Sequence, residues 1–105
     1  MTIIEKRAAR DVQENWEPLW QLFWSSFPRF LRQEKNVIKA CLLSSMRAFV
    51  DFYQVIPTEE EMINMDTEVA HKFNMFGNLM LKRMKQIMRE EGIEEDVAVC
   101  TRCLK

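Results

Sequence analysis

Two glycines and three prolines are the only strong chain-breakers in 105 residues. A sheet protein turns often and needs more of both, so a strand-based fold is the first class excluded. Cysteine is scarce too. Cys41, Cys100 and Cys103 make an odd set, in a chain with no apolar signal core after Met1, which argues against a disulfide framework. Neither sign of charge prevails: 15 basic and 16 acidic residues leave a formal net charge of −1. Sustained nucleic-acid binding draws on a strong positive field, so nucleic acid is not an expected partner. The longest charge-free apolar run, Pro18 to Pro28, falls far short of the roughly 20 residues that cross a bilayer. The protein is expected to be soluble and intracellular. No Gly-rich phosphate loop, H-E-x-x-H or nucleophile motif occurs, and the single histidine, His71, stands at the edge of an apolar stripe. No enzyme and no cofactor are expected.

Good helix formers fill the chain: Ala, Leu, Met, Glu, Lys, Arg and Gln, within a composition that is 48% hydrophobic. Such a length buries a core without metal or disulfide staples. The expected fold is all-α, a compact bundle of four to five antiparallel helices in one domain over residues 1–92. A tail over residues 93–105 either adds a short helix or frays.

Periodicity and punctuation divide the bundle. Ile4, Ala8, Val12 and Trp16 place a first helix from Ile3 to Trp16. Pro18 interrupts it, Leu19 to Phe27 form a short second helix, and Pro28 ends or kinks that segment. A long third helix begins near Asn36, although residues 29–35 also suit a helix. Its core face is Ile38, Leu42, Met46 or Ser45, Phe49, Phe52 or Tyr53, and Ile56. Pro57 stops it. Thr58 and Glu61 then form a capping box, with Glu59, Glu60 and Glu61 on the positive end of the next helix. That fourth helix runs from Glu59 to Phe76 on the stripe Met62, Met65, Val69, Phe73 and Phe76, and Gly77-Asn78 is its stop signal. The fifth runs from Leu79 to Glu91 with Met80, Met84, Ile87 and Met88 inward and Gly92 as cap.

Three features compete as functional sites. The first is aromatic. Trp16, Trp20, Phe23 and Phe27 share a face at helical spacing, with Trp24 on its edge and Phe30 nearby. Such stripes are mostly core. The alternative is a protein-docking surface, because Trp and Arg lead interface hot spots and Arg29 and Arg32 lie next to the cluster. Shallow membrane contact is a third reading, weakened by the absence of a continuous basic face. The second feature is the basic face of the fifth helix, where Lys82, Lys85 and Arg89 project together beside Arg83. It reads as a solvated face, or as a contact for an acidic protein partner, with RNA phosphate as the weaker choice. Seven internal methionines mostly fall at core spacing, with Met75 the best candidate for exposure. The third feature is Cys100-Thr101-Arg102-Cys103. With Cys41 and His71 it supplies only four soft ligands, all of which a closed zinc site needs, so free thiols are the expectation and no metal is assigned.

The segment Val55 to Val69, VIPTEEEMINMDTEV, resembles the C-terminal part of the C proteins of paramyxoviruses of the morbillivirus-like branch. Pro57, Thr58, Glu60, Glu61, Ile63, Asn64, Met65 and Thr67 carry the likeness, and Asn74 extends it. It spans about two dozen residues without a gap. The resemblance implies a non-enzymatic viral accessory protein in the host-cell cytoplasm. It would tune viral RNA synthesis through the polymerase complex and antagonise host interferon signalling, with engagement of budding machinery in some members. Its partners would be host innate-immune signalling proteins, the viral polymerase complex, or both. The chain lacks the long basic head of those proteins. It is expected to match their C-terminal half or a short member, without functions carried by the N-terminal half. On the residues alone, protein-binding candidates are Trp16, Trp20, Trp24, Arg29, Arg32, Lys82, Lys85 and Arg89. A homo-oligomeric structural protein stays open as an alternative, as does a weak RNA-binding factor.

Overall fold

The computed structural model describes residues 3–92; the expected tail, with Cys100 and Cys103, lies outside the described residues. Five helices follow in order: α1 (Ile3–Glu14), α2 (Trp16–Glu34), α3 (Val37–Tyr53), α4 (Glu59–Asn64) and α5 (Glu68–Glu91). The fold is all-α, with no strand among the described residues. α2 and α3 form a hairpin over Lys35 and Asn36, and α5 packs against both α1 and α3.

The helix boundaries differ from the sequence expectation at several places, among them α3, which was expected to run on to Pro57 and ends at Tyr53 with Gln54 left-handed (φ 60°). α1 ends at Glu14, not Trp16, and Asn15 links it to α2. The Asn15 side chain donates to the Asp11 carbonyl at 2.8 Å, closing the end of α1 rather than capping α2. Pro18 falls in the first turn of α2, where its missing N–H breaks no helical bond. Pro28 does not end the second helix: α2 continues through it to Glu34. A proline inside a helix costs about 3 kcal/mol. Burial of Leu19, Phe23 and Phe27 on the inner face offsets it, each worth about 1.5–3 kcal/mol. Pro28 itself points outward and is exposed.

The expected fourth helix is two helices. Met65 adopts a left-handed conformation (φ 53°) and ends α4, and Thr67 caps α5 by accepting from the Ala70 N–H at 3.2 Å. Gly77 is not a stop. α5 runs through it, because buried Phe76 and Met80 anchor the chain on either side. The expected stop at Gly92 is found, with φ 72°.

α3 bears out part of the expected face: Ser45 and Phe49 are buried, but the other buried residues are Val37, Ala40, Cys41, Ser44 and Ala48. Leu42 and Met46 are exposed, and Ile56, expected on this face, lies beyond the helix and is 67% exposed. Small side chains let α2 and α3 approach closely, which outweighs burial of the longer residues. The hydroxyls in this seam are satisfied: Ser44 Oγ donates to the Phe23 carbonyl at 2.7 Å and Ser45 Oγ to the Cys41 carbonyl at 2.7 Å. On α5 the stripe Met80, Met84 and Met88 is buried as expected.

Candidate functional site

Two stripes of α2 decide how the aromatic cluster divides. Leu19, Phe23 and Phe27 recur at four-residue spacing and are buried. Trp16, Trp20 and Trp24 form the adjacent stripe, two half-buried and the third 37% exposed. The rings stack in sequence along the helix: Trp16 on Trp20 at 5.8 Å, Trp20 on Phe23 at 5.7 Å and Phe23 on Phe27 at 5.1 Å. Trp24 meets Trp20 edge-on at 5.2 Å. The cluster is therefore core on one side and surface on the other, and the two sequence readings apply to different residues. α2 is also longer than expected, so much of the excess of aromatics over what a short helix buries is absorbed by its inner face.

α5 meets this stripe through Arg83, whose guanidinium lies 5.1 Å from the Trp20 ring centroid. Cation–π contacts of this kind leave the guanidinium edge free to donate. Around it runs a groove of about 630 Å³ between α1 and α5. Ala9, Trp16, Met75 and Leu79 give it an apolar lining, and Lys82 and Arg83 give it a cationic edge. The α5 residues lie at i, i+4, i+7 and i+8, a single stripe. On α1, Ala9 and Gln13 supply the facing wall.

Of the residues singled out from sequence, the structure brings Trp16 and Lys82 together on this groove, with Trp20 beneath Arg83. Lys85 and Arg89 continue the exposed side of α5 but do not line the groove. Arg29 and Arg32 sit on the last turns of α2, exposed, with Arg29 at 5.1 Å from the Phe30 ring. Met75, expected to be the most exposed methionine, is half-buried in the groove wall. Leu79 was missed: a stop at Gly77-Asn78 would end the helix before it, whereas a continuous α5 places it four residues after Met75 on the same face. Ala9 carried no signal, being small and off the apolar stripe of α1.

No family model, curated protein or solved structure matches this chain. The site thus stands on its own geometry.

That geometry bears on metal and catalytic chemistry as well. Cys41 is fully buried and its thiol is pushed up to about 12 by desolvation, so it is held as a neutral packing residue. Among the described residues, no group of three or more His, Cys, Asp or Glu side chains stands together to hold a metal ion. His71 is half-buried and lies with Asn74, Met75 and Asn78 along a second, smaller groove of about 330 Å³. No described helix is long and apolar enough to cross a membrane.

Proposed function

We propose that this bundle is a non-enzymatic accessory domain acting by protein–protein contact, with Trp20, Trp24 and Arg83 at the centre of its recognition surface. The observation that carries this reading is Trp24, left 37% exposed beside a Trp20 ring already covered by an arginine. An exposed indole next to a guanidinium supplies apolar area at low entropy loss together with a directional donor, the combination enriched at binding hot spots. The likeness of Val55 to Val69 to paramyxovirus C proteins gives this surface its proposed setting. It would bind the viral polymerase complex or host interferon-signalling proteins, in the host cytoplasm.

The test is capture of candidate partners by the intact chain and by two variants, Trp24→Ala and Arg83→Ala. Each variant is first checked for helicity and a cooperative melt. The expected result is folded variants that capture viral polymerase subunits or interferon-signalling proteins at least tenfold less well, about 1.4 kcal/mol of lost binding. Folded variants with undiminished capture would assign the tryptophans to packing alone.

A further inference from the structure

The groove between α1 and α5 and the outer face of α4 are complementary in kind. α4 carries Ile56 just before it and Ile63 within it, 67% and 74% exposed, among the most exposed large hydrophobics of the described residues. Glu59 and Glu60 lie between them, exposed, at helical offsets that put both on the same strip as Ile63. Neither glutamate forms an ion pair among the described residues, and neither does Lys82 at the edge of the groove. An acidic, isoleucine-bearing helix face and an apolar groove edged by Lys82 and Arg83 thus sit on one molecule, neither of them in an ion pair among the described residues. The dimensions agree: α4 is about 9 Å long, and the α5 wall from Met75 to Gln86 about 16 Å at 1.5 Å per residue.

We infer that the occupant of the groove is the α4 face of a second copy of this chain, with Ile63 on the apolar lining and Glu59 or Glu60 against Lys82 and Arg83. The two patches are unlike, so the contact is heterologous within each pair of patches. It closes as a reciprocal dimer if two such contacts form at once, and otherwise extends head to tail. Trp24 takes no part in it, whereas Arg83 belongs both to this contact and to the recognition surface proposed above, so the variants that test this inference leave Arg83 in place.

Sedimentation of the full chain over a wide concentration range tests this. The expected result is a mass that rises above the 12.6 kDa of one chain as concentration increases and falls back as salt is added. Lys82→Glu and Glu60→Lys alter exposed side chains, and each is expected to weaken association about tenfold by placing like charges together. Mixed in equal amounts, these two variants are expected to associate with each other, because the reversed groove then meets the reversed helix. Ile63→Ser provides a variant that leaves all charges in place and is expected to weaken association as well. A chain that stays monomeric at every concentration overturns the inference. So does association that persists in all three variants and disappears in Leu42→Ser, which would place the contact on the exposed stripe of α3.

Discussion

Phe23 and Trp24 are neighbours in the chain and differ in what surrounds them. Phe23 is fully buried, stacked between Trp20 and Phe27, and its carbonyl accepts from Ser44. Phe23→Ala is expected to cost about 3–5 kcal/mol, the range for emptying a core aromatic site. Trp24 keeps ring contacts on one side only, and Trp24→Ala is expected to cost about 1–2 kcal/mol. Chemical denaturation of the two variants checks the difference, and equal losses would return the whole cluster to the core. Glu61 shows a second single-residue effect. Its carboxylate accepts from the Thr58 N–H at 3.2 Å and from the Thr67 hydroxyl at 2.8 Å, so one side chain serves the caps of both α4 and α5. The Thr67 hydrogen bond, and then those from Thr58, hold its carboxyl below the usual carboxylate range. A depressed carboxyl contributes stability above its unfolded value and loses it as pH falls through the folded one. Melting of the native chain is therefore expected to weaken in acid by more than that of Glu61→Gln.

At the scale of elements, the start of α4 was legible because its signal is chemical and local: Thr58 with Glu61 builds its capping box, found with both bonds present. The end of α3 was not, because Gln54 turns left-handed (φ 60°) and closes the helix at Tyr53, ahead of the stop read at Pro57. Boundaries that depend on tertiary contacts were not legible. Pro28 and Gly77 both read as breaks, and at each the helix is carried through by buried neighbours, Phe27 in one case and Phe76 with Met80 in the other. Met65 shows the converse: its apolar spacing hides a left-handed residue that ends α4. The candidate site follows the same division. Its tryptophans and Lys82 were visible as residue types, whereas the groove needs α5 to be continuous from Met75 to Gln86. Gly77 gives a direct check. A Cβ placed there meets nothing within 4 Å, and the backbone is helical. Gly77→Ala is expected to stabilise by about 0.5–1 kcal/mol, raising the melting temperature by about 4–8 °C per kcal/mol. Gly92→Ala, at φ 72°, is expected to lower it. A rise in the second variant or a fall in the first would contradict a single α5.

Three of the five helices meet at one polar cluster. Tyr53 at the end of α3 donates its hydroxyl to the Asp11 carboxylate on α1. Lys72 on α5 lies 3.5 Å from the same carboxylate and 4.9 Å from the Tyr53 ring centroid. α1 otherwise buries only Ala8 and Val12, small residues, so this cluster fixes its position against the rest of the bundle. Burial, and then the hydrogen bond and negative charge of Asp11, push the Tyr53 hydroxyl well above the usual phenol range. A group raised in the folded state contributes stability that is complete below its unfolded value of about 10 and fades as pH climbs toward the folded one. Alkaline solution is therefore expected to loosen the bundle at this junction. Tyr53 is the only tyrosine in the chain, so its ionisation can be followed by ultraviolet difference absorbance without ambiguity. The expected titration is late and coincides with loss of helicity. In Tyr53→Phe the Asp11 carboxylate keeps Lys72 and partial access to water, so the loss at neutral pH is expected to be about 1 kcal/mol. The same variant is expected to hold its helicity further into alkali than the native chain, and an ordinary phenol titration in the native chain would remove the cluster from any part in joining the helices.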